Sequence, residues 1–561
     1  MSVSIPERDA CIVGLKLTHD SSIAVLRGDK LTHLIELEKL GRKRYAQAQG
    51  IRDVDVLLEA VGLSPGSIDL LAIDGWHRNA DGLLVLRDRS TFAIAPYDVN
   101  QSVPLDWVSE TVRSSWRGLP TVSAPHSVGH VLTATSTNPN LVPGEASVVL
   151  VWDGSLPPTL YERKGSTIRA LYRISNLTLD AYSLAALHLE PFRGGSETRA
   201  VRDRLDVAGK VMSYIALGES SEDLEERVRE LLNSTLGKSR TGSPSRGFAE
   251  QVSRDERIWA GKPSSATVLL AVHNVLGEHL LRGIEKVCQS YPGGPPHLSL
   301  AGGAGLNIKW NSRIRNAQVA KSVWVPPIPN DSGSALGAAL AGQLSRLDGG
   351  SRPLAWTAYA GTPLRSATRR GTQLRIDELA ELLANGQPVV VLQGTAEIGP
   401  RALGHRSILA DPRRTFMKEW LNEIKGREWY RPIAPVCVES DAKKFFTPGG
   451  RDQYMVFDHR IRSEWRSRLP AVTHLDGTAR LQTVSASDDA FTVDLLKAFE
   501  SLTELPILCN TSANRNGYGF FRSVEEALRW GKVKYVFSDG RLFESSDASI
   551  IPPPSGGLNG V

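Results

Sequence analysis

The stretch GTAEIGPRALGHRSILADPR, Gly394 to Arg413, followed closely by KGREWYRP, Lys425 to Pro432, carries the densest chemistry in the chain. The apolar run Pro388 to Leu392 reads as a buried strand leading into a turn that contains Gly399 and Pro400. Arg401, Arg406, Lys425, Arg427 and Arg431 crowd around that turn, separated by Ile, Ala, Leu and Trp rather than by polar spacers. Glycine lets backbone amides approach an anion, and guanidinium groups grip phosphate oxygens two at a time. The pattern predicts a phosphate-handling site; the alternative is an ion-paired structural loop.

Further apolar runs predict strands at Cys11 to Leu17, Leu70 to Ile73, Ser147 to Trp152, His297 to Leu300 and Leu505 to Leu508. Several end in small or polar residues (HDSS, DGS, GGAG, QGT, NTS), and helical patterns lie between them. This is the α/β pattern, in which ligands gather where strands end. Ser345 to Arg370, rich in Gly, Ser, Pro and Arg, reads as a linker, packed down by Trp356 and Tyr359. Ser220 to Ser265 is polar with weak periodicity and reads as including a mobile insertion, and the tail after Ile551 as disordered. The sequence shows no internal repeat.

A chain of 561 residues suits two or three domains. Its 41% hydrophobic and 23% charged residues are those of a soluble enzyme, and a net charge of +5 gives no argument for nucleic acid. Cys11, Cys288, Cys437 and Cys509 are scattered, which excludes a disulfide framework or zinc ribbon. With no long apolar run and no signal-like N-terminus, a cytoplasmic protein without membrane partners is expected.

Four N-terminal segments carry reactive residue types. In Thr18-His19-Asp20-Ser21-Ser22, His19 suits a base, while Asp20 or Ser21 suits a helix cap. His126 and His130, at i and i+4, share one helix face and can meet one metal ion, although structural histidines are the commoner cause of such spacing. Asp153 and Asp331, both after apolar runs, would complete a divalent metal site. Iron(II), manganese and magnesium all suit these ligand types, which do not choose among them. Gly302, Gly303 and Asn307 suit either a nucleotide-binding turn or a tight strand-to-helix turn, and Lys210 a phosphate contact or a solvent lysine.

Taken together, HSVGH, WDGS, AGKVM, AGGAGLN, NDSGSALGAA, GPRALGHRSILADPR, LNEIKGREWYRPIAP and CNTSAN resemble, in order and over nearly the whole chain, the carbamoyltransferases of the nodulation-protein and cephamycin type, which include the tobramycin carbamoyltransferase. ELEKLGRKR, Glu36 to Arg44, looks like the acidic-then-basic segment after that family's first hairpin. The resemblance implies an actin/hexokinase-like (ASKHA) ATPase-type domain of the threonylcarbamoyl-transferase kind over 1–355. It implies a YrdC-like α/β domain over 356–553, leaving 554–561 as tail. It further implies that carbamoyl phosphate is cleaved to carbamate, which moves internally to react with ATP. The resulting carbamoyl adenylate then serves the hydroxyl of a specialised metabolite, as in antibiotic biosynthesis.

On this resemblance His126, His130, Asp153 and Asp331 match the metal ligands, and His19, with Asp20 beside it, the catalytic base. Lys210, Gly302, Gly303 and Asn307 match the nucleotide site. Arg401, Arg406, Lys425, Arg431, Asn510 and Ser512 match the carbamoyl-phosphate pocket, with Arg427 and Glu428 read as an internal pair that orients it. A homodimer would accord with the family. The chain departs from the family at Thr395, where Arg is usual, at Ser127, where a second His is frequent, at Ala513 in place of Phe, and at Gly517-Tyr518-Gly519. Thr395 puts the strength of carbamoyl-phosphate use in question. The competing readings are a tRNA-modifying threonylcarbamoyl enzyme, a hydrogenase-maturation carbamoyltransferase, and a non-catalytic nucleotide or sugar sensor. The modest charge argues against the first, the cysteine count against the second, and retention of the motif residues against the third. Trp76, Trp107 and Trp116 suit either core or an apolar acceptor pocket.

Overall fold

The computed structural model describes residues 10–76, 82–98, 111–142, 144–193, 201–237, 243–346, 353–545 and 551, with 201–204 as backbone only. Trp107 and the 554–561 tail lie outside the described residues. The chain divides into two units, Met1–Leu37 with Tyr45–Thr357, and Glu38–Arg44 with Ala358–Val561.

The first unit holds two mixed sheets. In one, the order is Lys30–Glu36, Ser22–Arg27, Cys11–Lys16, Leu70–Asp74, Leu119–Ala124, Val112–Trp116. In the other it is Thr167–Arg173, Thr159–Lys164, Ser147–Val151, His297–Ala301, Ser322–Trp324. Each begins as an antiparallel three-strand meander, and its first strand then pairs in parallel with a later one. The same topology is thus built twice from sequences without visible similarity. The first strand of each sheet is buried along its length, as strands covered on both faces must be.

Helix His126–Ser136 packs against the second sheet of this unit and against helix Ser334–Leu344, which itself packs on the first sheet. The two helices cross through glycine: a Cβ on Gly337 would lie 2.2 Å from the Gly129 carbonyl oxygen. That close approach brings the N-terminal turn of one helix beside the Asp331–Gly333 turn that precedes the other. The Ser220–Ser265 region, expected to include a mobile insertion, forms helices Glu222–Leu236, Pro244–Arg254 and Glu256–Trp259. Amphipathic packing explains this, since Leu224, Val228, Leu231, Phe248 and Val252 are buried.

The second unit is built on an eight-stranded mixed sheet. Strand Val389–Leu392 lies between Tyr535–Ser538, parallel, and Arg406–Ala410, antiparallel. Val390 and Leu392 face one apolar core and Val389 and Val391 the other, which is why the run is continuously apolar. The segment Glu38–Arg44, expected within the N-terminal domain, belongs here instead. The Arg44 amide donates to Gly517 O (2.9 Å) and Arg522 Nη1 to Leu40 O (3.0 Å), so backbone pairing holds it in place.

Candidate functional site

In the first unit, ends of strands and helix turns converge. Lys16 ends Cys11–Lys16, Asp74 ends Leu70–Asp74, and Asp153 follows Ser147–Val151. His126, His130, Asp153 and Asp331 are all buried and offer ligand atoms within 4.8 Å of one another. The two Nε2 atoms lie 3.1 Å apart, and Asp331 Oδ1 is 3.4 Å from His126 Nε2 and 3.5 Å from His130 Nε2.

This donor set fits a divalent metal. Burial opposes the charge on Asp331, but Lys16, His126 and His19 outweigh it and hold its pKa well below the usual range, so it is ionised. Neither of its oxygens accepts an aligned hydrogen bond, although both are buried. Lys16 Nζ pairs with Asp331 Oδ2 at 2.9 Å, and Oδ1, buried against two imidazole nitrogens, is the oxygen left to join them through a cation.

Three residues that the sequence did not single out complete the centre. Asp74 lies 2.8 and 3.0 Å from His126 Nδ1, which holds a proton on Nδ1 and turns Nε2, whose own proton a metal would displace, toward the other ligands. Lys16 Nζ lies 2.9 Å from both Asp74 and Asp331 and 3.7 Å from the centroid of Trp76. The Tyr97 ring stacks on His126 at 4.8 Å, and its hydroxyl donates to Asp153 at 3.3 Å. A lone lysine or aspartate ending an apolar run carries no motif, so the sequence offered no signal for Lys16 or Asp74. Asp74→Asn should weaken metal binding about 10–100-fold, because the carboxamide can donate to Nδ1 and move the imidazole proton to Nε2. Calorimetric titration of the variant with metal checks this.

His19 borders the cluster. Its Nδ1 lies 3.0 Å from Asp20 and its Nε2 3.5 Å from Asp331. Burial disfavours protonation of His19, yet Asp331 and Asp20 prevail and raise its pKa. The segment is a turn between two antiparallel strands, with Asp20 at φ +55, so the helix-cap alternative does not hold. Trp76 meets His19 edge-on at 5.2 Å, whereas Trp116 packs on Phe92 at 5.9 Å.

The glycine turn adjoins the same centre. The Gly303 amide donates to Asp153 Oδ1 at 2.6 Å, and Gly302 has φ +79. Asn307 caps helix Ile308–Asn316 through the Trp310 amide, and Lys210 lies 2.9 Å from Asp206 on its own helix.

In the second unit, the loop between Val389–Leu392 and Arg406–Ala410 holds Arg401. Glu397 Oε1 accepts from the amides of Leu403 (2.6 Å), His405 (2.8 Å) and Arg406 (3.1 Å), so a buried carboxylate organises the loop from inside. The charges of Arg406 and Lys425 are engaged by backbone. Arg406 Nη1 and Nη2 donate to the carbonyls of Gln393, His405, Thr362 and Gly394. Lys425 Nζ donates to Ser512 O, Asn514 O and Asn514 Oδ1. Burial, with Arg427 and Arg44 nearby, pushes the Lys425 pKa well down. Each terminal donor of these two side chains thus has a protein acceptor, whereas the sequence reading directed them to phosphate.

Other cations keep open donors. Arg427 donates through Nε to Asn422 (2.6 Å), and its buried Nη2 has no acceptor. Glu428 lies 3.7 Å from Arg431, and its charge also acts on Arg427. Arg480 Nε is likewise buried without an acceptor. Burial and neighbouring guanidiniums lower the pKa of Arg427 to about 9 and that of Arg480 to about 10. Clustered guanidiniums with open donors suit an anion. Asn510 Nδ2 donates to Ala402 O and Gln482 Oε1 while its Oδ1 is an unbonded buried acceptor, and Ser512 Oγ donates to Asn514. Arg480 stands in no motif, and only the fold brings it to Arg427 and Arg431. Thr395, at the departure from the family, donates to Tyr359 O at 2.6 Å.

The fold and sites define a mixed α/β protein of two units, one with a buried centre able to hold a metal and the other with an arginine cluster. The chain matches the family models for the carbamoyltransferase N-terminus over 11–103 and 108–340 and the carbamoyltransferase C-terminus over 380–536. It is 38% identical to nodulation protein U of Rhizobium tropici, covering 97% of each chain. Identity to 3'-hydroxymethylcephem-O-carbamoyltransferase of Amycolatopsis lactamdurans is 32%, covering 92% of this chain and 95% of that one. The chain belongs to the carbamoyltransferase family and is a carbamoyltransferase of the type these two represent. Similarity to the solved structure of full-length HypF in its phosphate- and nucleotide-bound form is low, with a TM-score of 0.34 at 12% identity, over 61% of this chain and 56% of that one. Among the described residues, no helix is long and apolar enough to cross a membrane.

Proposed function

We propose that this carbamoyltransferase takes its carbamoyl group from carbamoyl phosphate, activates it with ATP, and delivers it to a hydroxyl of a specialised metabolite. The observation that carries the reading is the buried His126, His130, Asp153 and Asp331 cluster with His19 at its edge. The duplicated sheet topology supports an actin/hexokinase-like first unit, and the arginine cluster supports a donor site in the second, YrdC-like unit.

In the second unit, Arg401, Arg427, Arg431 and Arg480 bind carbamoyl phosphate, with Asn510 and Ser512 beside it. Arg406 and Lys425 hold the walls through carbonyls. The cations stabilise the charge that grows on phosphate as the carbonyl carbon–oxygen bond breaks, releasing carbamate after attack by water. In the first unit, a carbamate oxygen attacks the α-phosphorus of ATP, displacing pyrophosphate and forming carbamoyl adenylate. Gly302, Gly303, Asn307 and Lys210 position the nucleotide. A divalent ion held by the four ligands, iron(II) by preference, would supply positive charge to bound oxygen atoms. The acceptor hydroxyl then attacks the carbamoyl carbon and gives its proton to His19 Nε2 while AMP leaves. Asp20 orients the imidazole through Nδ1. Trp76, edge-on to His19, walls the acceptor side.

The direct test incubates the protein with ATP, carbamoyl phosphate and a divalent metal, with mass-spectrometric detection of carbamoyl adenylate and an assay for pyrophosphate. Products that need both substrates support the reading, and none with iron(II), manganese or magnesium would end it. His19→Ala should lower transfer to the acceptor by about 10²–10⁴-fold while adenylate formation continues. Equal loss of both steps would remove His19 from the transfer role.

A further inference from the structure

The loop that presents Arg401 is held from inside by Glu397 and from outside by a residue distant in sequence. Lys39 is 1% exposed, on the segment Glu38–Arg44 that belongs with the second unit. Its Nζ donates to Glu397 O at 2.9 Å and to Gly399 O at 2.6 Å, and lies 4.7 Å from the centroid of Phe520. We propose that Lys39 is a positioning residue for the donor site: by gripping the carbonyls of Glu397 and Gly399 it sets the turn through which Arg401 reaches carbamoyl phosphate. The inference rests on the donor-site reading above.

The geometry supports this in three ways. An ammonium buried to this extent must be compensated, and carbonyl oxygens accept from it more strongly than from neutral donors. Gly399 has φ +79 and precedes Pro400, so the turn's backbone is unusual and gains from an outside hold. The segment bearing Lys39 is itself locked: a Cβ on Gly519 would lie 2.3 Å from Glu38 O, and Lys43 forms an antiparallel bridge with Tyr518. A lysine whose own backbone is fixed delivers its charge to one place. The donor site therefore depends on a piece of chain more than three hundred residues upstream, as the separations of 358 and 360 residues show.

The test measures carbamoyl-phosphate dependence of adenylate formation, and inorganic phosphate binding by calorimetry, in the full chain with Lys39→Met, Lys39→Arg and Arg401→Ala. Lys39→Met should raise KM for carbamoyl phosphate about tenfold or more and weaken phosphate binding to match, with KM for ATP and metal affinity unchanged. Lys39→Arg, which keeps the charge, should recover part of the loss. A merely structural lysine would lower active protein without this split between donor and nucleotide. If Lys39→Met does not fold, Lys39→Gln, which keeps a donor, carries the same comparison. Unchanged donor KM in the folded variant, with Arg401→Ala impaired, overturns the role of Lys39 alone. Failure of the unaltered protein to bind carbamoyl phosphate or phosphate overturns the donor-site reading as well.

Discussion

Asp331→Ala should empty the metal centre and abolish carbamoyl transfer. The carboxylate faces both His126 Nε2 and His130 Nε2 at 3.4–3.5 Å, so its loss leaves two imidazoles and Asp153 to hold the ion. Partners outside the ligand set cost about 10–100-fold in affinity or activity, and a direct ligand should cost more. Metal content by elemental analysis should fall below about a tenth of the unaltered protein's. Stability separates this from misfolding. A ligand that binds only the folded state raises the melting temperature. The unaltered protein should gain stability on adding iron(II) or manganese, and the variant should not. Bound metal at the normal ratio in a folded Asp331→Ala would remove it from the ligand set.

Arg401→Ala should remove use of carbamoyl phosphate and spare the chemistry of the first unit. The backbone of its loop is organised by Glu397 Oε1, through the amides of Leu403, His405 and Arg406, so the loop should keep its shape without the guanidinium. Removing one preorganised donor to developing charge costs about 10²–10³ in turnover. Supplied with preformed carbamoyl adenylate, the variant should carbamoylate its acceptor at the normal rate. Loss with both donors would show that the division of labour between the units is wrong. Activity close to normal with carbamoyl phosphate would pass the donor role to Arg427, Arg431 and Arg480.

Much of this site was readable in one dimension because its logic is local. Histidines four apart on one helix must share a face, so the His126–His130 pairing needed only periodicity. Valines in a row must be buried on alternate faces, so Val389 to Val391 announced a covered strand. Hairpin loops rich in glycine and arginine announce an anion, and the loop is there. The sequence by itself determined six of the buried strands, the helix carrying His126 and His130, and the family.

Tertiary structure alone decided which charges meet. Lys16 and Asp74 are 58 residues apart and ordinary in their surroundings, yet strand pairing sets them together beside the ligands. Arg480 joins Arg427 and Arg431 from a stretch with no motif, while Arg406 and Lys425, which the motif favoured, turn to backbone carbonyls. The repeat of one sheet topology is invisible in the residues, since pairing direction depends on partners rather than on composition. The placement of Glu38–Arg44 with the second unit has the same origin. Periodicity reports what a residue does with its near neighbours; a buried charge reports its partner only when the chain has closed around it.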